Sequence, residues 1–408
     1  MTTTEQPLFF NPFDPDFRVD PYPTYKRFRE EDPVHKTPFG PWVVSRYADC
    51  VAILRDPRSS SDATKSNEFA QFAAANPRIA EDTSRPFLFM DPPDHTRLRG
   101  LVSKAFTPKV VEGLRPRIQQ IVDQLIASVV ERGSLEVIED LAYPLPVQVI
   151  SEMLGVPPED HETFKGWSAV LARSLDPDLG TLPPEEIERR EKIANDFVAY
   201  FEQLFDKRRK DPRDDLLSAL LAAEEEGDKL SPNELVTTCI LLLVAGHETT
   251  VNLIGNGVLA LLRHPDQLAR LRADPSLDKS AVEEFLRFDP PVQFTVRTML
   301  DEYAIGDRVI AKGEQAIVGL ASANRDASQF TEPDHLDVAR SDNRHVAFGF
   351  GAHFCLGAPL ARAEGQIALG TLVRRLDGLE LLDDPPEYKE NLVLRGLAKL
   401  RVGFSDSR

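Results

Sequence analysis

Two short stretches gather the residues able to do chemistry. The first is Phe348-Gly-Phe-Gly-Ala-His-Phe-Cys-Leu-Gly-Ala-Pro-Leu-Ala-Arg362. Cys355 stands just ahead of a helix whose early residues include Ala358 and Pro359. Its sulfur would meet unpaired backbone N–H groups and the positive end of that helix. Both lower a thiol's pKa, and the thiolate is the nucleophile and metal ligand. Gly349, Gly351 and Gly357 let the chain turn tightly and let a flat ligand come close. Phe348, Phe350 and Phe354 can keep water from the sulfur. Cys50 and Cys239 have no such company and read as packing residues.

The second stretch is Ala245-Gly246-His247-Glu248-Thr249-Thr250. It follows Ile240-Leu-Leu-Leu-Val244, apolar on every side and therefore buried. A carboxylate and two hydroxyls in such a place are costly unless each finds a partner. Gly246 weakens the helix by about 1 kcal/mol relative to Ala. A satisfied polar patch with a packing glycine is the reading these residues support on their own. His247-Glu248 also suggests a zinc-protease helix, but that motif needs a second His four residues on, and position 251 is Val. The zinc reading fails there.

The elements that must position these residues follow from periodicity and punctuation. Residues 231–263 form the best-defined helix, with Ser231 as N-cap, Pro232 at the first position and Glu234 completing a capping box. At 1.5 Å per residue it spans roughly 50 Å and must cross the whole domain. A short helix is expected over 21–32, a hairpin over 34–46 turning at Gly40-Pro41, and a helix over 47–56. Residues 57–93 read as a long ordered loop with one short helix. From Asp94 to about 288 the chain is mostly helical, including a periodic run at 115–130. Short strands follow from Val292 to Ile317, a helix from Ala358 to Leu376, and a small sheet over 379–404. With no repeat and no composition step, the 408 residues are expected to form a single domain, mainly α with a small β part.

The cysteine run resembles the haem-binding loop of the cytochrome P-450 monooxygenases, F-x-x-G-x-H-x-C-x-G, matched by Phe348, Gly351, His353, Cys355 and Gly357. Ala245 to Thr250 resembles that family's oxygen-binding segment. Glu284-Phe-Leu-Arg287 is similar to its E-x-x-R helix, and Asp94-His-Thr-Arg-Leu-Arg99 to its bacterial propionate helix. The four motifs stand in the family's order, and the resemblance covers residues 12–404. It implies a triangular, mostly helical prism and one haem b with Cys355 as axial thiolate. Gly246 would make room for dioxygen, Thr249 would hydrogen-bond it, and Glu248 would relay protons to it. His95, Arg99, Arg297 and His353 would bind the haem propionates, and Glu284 with Arg287 would form a structural ion-pair cluster. Many relatives carry Arg where this chain has His335, the expected third member. Leu241, Val244 and Ala245 would face a substrate across from Val292 and Phe294. His247 and Thr250 read as partnered helix residues, and Arg97 as a solvated charge.

Charge and composition bound the partners. Lys plus Arg is 48 and Asp plus Glu is 66, so the net is 48 − 66 = −18, wrong for a nucleic-acid binder. The longest apolar run is far short of the about 20 residues a bilayer needs, and the start carries no secretory pattern, so a cytoplasmic protein is expected. Three cysteines exclude a disulfide scaffold. The resemblance implies dioxygen, a lipophilic small molecule, and electrons from a ferredoxin and its reductase. Arg97, Arg99, Lys104, Lys109, Arg344 and Arg362 would offer the docking patch on the cysteine side. Hydroxylation is the default reaction and epoxidation the next. The other readings are a peroxygenase using hydrogen peroxide and a non-catalytic haem-thiolate protein.

Overall fold

The computed structural model describes residues 8–75, 85–173, 176, 184–213, 215–225 and 230–407. Helices α1 (Tyr22–Glu31) and α2 (Tyr47–Arg55) enclose a hairpin of β1 (Val34–Lys36) and β2 (Trp42–Val44), with Val34 opposite Val44. The expected long loop holds strand β3 (Ser59–Ser60) and a helix at Asn67–Ala75; its residues 76–84 lie outside the described ones.

Helices α3 (Asp94–Val102), α4 (Pro108–Ala127), α5 (Pro144–Leu154), α6 (His161–Ala172), α7 (Pro184–Lys210) and α8 (Leu216–Glu225) follow. Helix α4 begins seven residues before the periodic run that announced it. The Thr107 side chain accepts from the Val110 N–H and Pro108 takes the first turn, so the cap overrides the mixed pattern that follows, with Pro116 inside the helix.

Helix α9 (Pro232–Arg263) is the axis, and both hydrogen bonds of the Ser231–Glu234 capping box are formed. Val251, Ile254 and Val258 sit in the main core with Ile118 and Ile121 of α4. It is long and apolar enough to cross a membrane, but most of it is buried inside the protein. Burial is not uniform, however. Ile240, Ala245, Gly246 and Thr249 keep part of their surface open.

Helices α10 (Asp278–Phe288) and α11 (Ala358–Arg375) pack beside α9. A Cβ on Gly257 would lie 3.0 Å from Leu369, and one on Gly365 would lie 3.1 Å from Leu253. Glycine on both helices therefore sets how closely α9 and α11 approach, which fixes the oxygen-segment helix against the helix that follows Cys355. Strands β4 (Thr295–Met299) and β5 (Gln315–Val318) complete a five-stranded sheet in the order β1-β2-β5-β4-β3, with β2 and β5 parallel. Arg297 stands opposite Ala316 in this sheet. The mainly helical architecture with small sheets is the one the sequence led us to expect.

Candidate active site

Cys355 is held by its own backbone. Its N–H donates to the Phe348 carbonyl at 2.8 Å, closing the loop on itself. Gly349 and Gly351 lie at φ +69° and +73°, where L side chains are strained, and a Cβ on Gly351 would also run into the Leu54 carbonyl at the end of α2. Gly357 has no such requirement: its φ is −79° and a Cβ there would meet nothing within 4 Å. Burial pushes the Cys355 thiol up. The Gly357 N–H, Arg99, Arg362 and the Ala358 N–H all pull the other way. The helix start supplies the expected donors, and burial outweighs them. Coordination to a cation deprotonates a thiol outright, so the balance suits a metal-bound sulfur.

The three phenylalanines divide. Phe348 lies 6.2 Å from Phe354 under the Arg362 guanidinium, whereas Phe350 packs with the cluster around Leu54, beneath Arg55. Phe354 is 40% exposed and is a partial shield.

A group of nitrogen side chains converges near this loop, with Asp91 the carboxylate that acts on them. The His95 and His353 rings are 4.1 Å apart, and both nitrogens of buried His95 lack a partner. Burial, then His95 and Arg297, holds His353 down to about 3. Burial alone drives Arg297 down to about 10, with Asp91 opposing. The Arg297 guanidinium donates only to Thr295 Oγ1 and the Val296 carbonyl, at 2.9 and 2.8 Å. Each of these groups would be relieved by a carboxylate placed among them. Arg99 is instead engaged, donating to the Phe354 carbonyl at 2.5 Å. A half-buried sulfur at a helix start beside unpaired imidazoles and a guanidinium fits an anionic, flat, metal-bearing group such as haem.

The oxygen-segment residues sit on α9. The Thr249 hydroxyl donates to the Ala245 carbonyl at 3.1 Å. Glu248 is buried and accepts from Lys389 Nζ at 2.5 Å. His247 is a core residue: its Nδ1 lies 2.7 Å from the Leu243 carbonyl and burial lowers its pKa. Gly246 also has a packing role: a Cβ there would lie 3.1 Å from Ile150 Cγ1, so the glycine lets α9 cross closely over α5. Thr250 does not bond back to its helix as expected; its hydroxyl is the polar group beside the Glu364 carboxyl, which burial pushes up to about 8.

The pocket residues also divide. Val244 and Val292 meet Leu394, Val393, Ile240 and Leu171 in one apolar cluster. Phe294 turns away, edge-on to Phe10 in the N-terminal aromatic cluster at 6.1 Å, and is corrected as a pocket residue. Leu241 belongs to the main core. Residues 76–84, 174, 175 and 177–183 lie outside the described ones.

Glu284 and Arg287 form a fully buried bidentate pair, at 2.8 Å for each bond. The third member is Arg340, 3.0 Å from Glu284, not His335. His335 is exposed and offers only its backbone carbonyl, to Arg287 at 3.1 Å and to Arg340 at 3.1 Å. Sequence reading also missed Lys389 and Glu364. Neither stands in a motif, and only the long-range packing of the C-terminal segment and of α11 brings them to α9.

A cysteine at a helix start, an anion-seeking group beside it, and an acid and alcohol on the crossing helix define a haem-thiolate protein. The chain belongs to the cytochrome P450 family, whose model, described as "Cytochrome P450", matches residues 36–402. Among relatives, cytochrome P450 107B1 of Saccharopolyspora erythraea is 44% identical, covering 98% of this chain and 99% of its own. The vitamin D(3) 25-hydroxylase of Pseudonocardia autotrophica is also 44% identical, over 96% of this chain and 95% of its own. The crystal structure of ligand-free Mycobacterium smegmatis CYP164A2 superposes with a TM-score of 0.89 at 46% identity, covering 96% and 98% of the two chains. The protein is thus a P450 monooxygenase that binds haem through the Cys355 thiolate, and such enzymes need dioxygen and redox partners.

Proposed function

We propose that this enzyme inserts one oxygen atom of dioxygen into a lipophilic small molecule, hydroxylation before epoxidation, with electrons from a ferredoxin and its reductase. Cys355 would hold the haem through its sulfur, and the haem, when bound, would supply the activation of dioxygen. The chain's own residues do the rest. His95, His353 and Arg297 hold the propionates, and Arg99 steadies the cysteine loop at Phe354. Val244, Val292, Leu394 and Ile240 offer a lipophile an apolar wall. The hydroxylase name of a relative 44% identical points to the same substrate class.

The observation that carries the reading is the retained acid–alcohol pair, Glu248 and Thr249, on one turn of α9. A peroxygenase needs no proton relay, so the pair speaks against that alternative. The docking patch is narrower than its sequence suggested. Arg97 is paired with Glu234, Arg344 with Asp342 and Arg362 with Glu283, while Lys104 and Lys109 are exposed. Those two lysines, on the segment after Arg99, are the ones we assign to steering an acidic ferredoxin.

The test is Thr249→Ala, assayed with the lipophile that gives the largest Soret shift in a diverse panel. The variant should keep haem and bind that compound. Product formed per NADPH should fall at least about tenfold while peroxide rises, since a positioned proton donor is worth roughly 10²–10⁴-fold. Tight coupling in the variant would overturn the assignment.

A further inference from the structure

Both members of the acid–alcohol pair are engaged elsewhere in this structure. Thr249 donates to its own helix at Ala245, and Glu248 is tied to Lys389. Lys389 Nζ also lies 3.3 Å from Asn252 Oδ1, one turn along α9. The Lys389 side chain is 21% exposed and that of Glu248 is 7% exposed, so the pair is largely out of water.

The segment carrying Lys389 is a closed loop. The Lys389 N–H donates to the Gly396 carbonyl at 3.0 Å. The Asn256 side chain donates to the Arg395 carbonyl at 3.2 Å, and a Cβ on Gly396 would collide with the Asn252 side chain, so this end of the loop lies flat on α9. The same loop presents Val393 and Leu394 to the apolar cluster with Val244, Ile240 and Val292. Its far side is tied to the α6 end of the pocket. Asp176 accepts from the Leu392 and Val393 N–H groups at 3.0 and 2.8 Å, and Arg173 pairs with Glu390 at 3.2 Å. One stretch of eight residues therefore touches both the place a substrate would occupy and the acid that would serve it.

We propose that Lys389 is a positioning residue of the proton relay: its ammonium holds the Glu248 carboxylate away from Thr249, and the 389–396 loop carries the effect of a molecule in the pocket to that carboxylate. The proposal rests on the relay reading above. A molecule pressing on Val393 and Leu394 displaces the loop, Lys389 moves with it, and Glu248 is released to Thr249. The acid is then available when the pocket is filled and withheld when it is empty.

The test uses the haem-loaded enzyme without substrate, with a plant-type ferredoxin, its reductase and NADPH. Lys389→Met, Lys389→Arg, Glu248→Gln and the Met/Gln double variant are compared. Amide hydrogen exchange over 389–394 should rise about tenfold in Lys389→Met and equally in Glu248→Gln, with no further gain in the double variant, because all three lose one bond. Lys389→Arg should stay near wild type. Substrate-free oxygen uptake should rise several-fold in Lys389→Met only, with a changed solvent deuterium isotope effect. Adding 4-phenylimidazole to the wild type should change exchange over 389–394 by at least about threefold. Should Lys389→Met fail to take up haem, Lys389→Gln replaces it. Unchanged exchange in Lys389→Met, or raised exchange with wild-type oxygen uptake and isotope effect, overturns the tether. Exchange indifferent to 4-phenylimidazole overturns the pocket coupling. A wild-type isotope effect in Glu248→Gln sinks the relay reading instead, and the exchange data still judge the tether on their own.

Discussion

The imidazoles of His95 and His353 lie 4.1 Å apart, centroid to centroid, at an interplanar angle of 34°. One ring comes from α3 and the other from the turn before Cys355, so their contact joins the propionate helix to the cysteine loop. Two neighbouring imidazoles beside Arg297 disfavour one another's protonation, which is the opposite of what a protein needs unless an anion joins them.

That arrangement predicts slower haem loss than a ligand bound by the thiolate alone. Replacing His95 by Phe keeps the ring and removes the donors. Haem transfer to an apomyoglobin trap should quicken by roughly ten- to a hundredfold, the loss of one hydrogen bond to a charged group at about 1.5–3 kcal/mol. An unchanged transfer rate would take His95 out of the propionate seat.

Gly246 predicts a packing effect. Gly246→Ala gains about 1 kcal/mol of helix propensity but pushes a methyl towards Ile150, an overpacking cost of about 1–3 kcal/mol. The single variant should be neutral to modestly destabilised in thermal unfolding. Adding Ile150→Val should restore or exceed wild-type stability, and an Ile150→Val that gives no relief would remove the packing role.

The ion-pair cluster separates two residues that look alike in sequence. Arg340→Gln strips one cation from the buried Glu284 and should cost about 3–5 kcal/mol. His335→Asn keeps the only atom used, a carbonyl, and should stay within about 0.5 kcal/mol. Urea unfolding of the two variants decides it, and equal losses would make the His335 ring a true member.

Glu364 gives the pH dependence a sign. Burial raises its pKa to about 8 in the folded chain, so between the ordinary carboxylate range and that value the folded protein keeps a proton that the unfolded chain has released. Stability contributed by this group therefore falls as pH rises, at up to about 1.4 kcal/mol per pH unit. Glu364→Gln has no charge to suppress, so its Tm advantage over wild type should grow between about pH 5 and pH 8. A pH-independent difference would mean that the carboxyl is ionised in place.

How much of this was legible in the sequence depended on whether a residue's reason was local. The α9 cap, the β1–β2 hairpin and the turn before Cys355 follow from neighbours within a few positions, and all stand where Ser231, Gly40 and Gly351 put them. Residues whose roles arise from distant partners were misjudged or missed. Phe294 is claimed by Phe10, and Glu284 finds Arg340 rather than His335. Lys389 is separated from Glu248 by 141 positions, and no spacing rule spans that distance.

The seat of the cysteine loop is main chain against main chain, since Gly351 leaves no room beside the Leu54 carbonyl. A side chain at position 351 would have to lift the whole turn off α2, carrying the sulfur with it. The depth of the metal ligand is thus set where one peptide rests on another, with Phe350 under Arg55 pinning the same turn from the side.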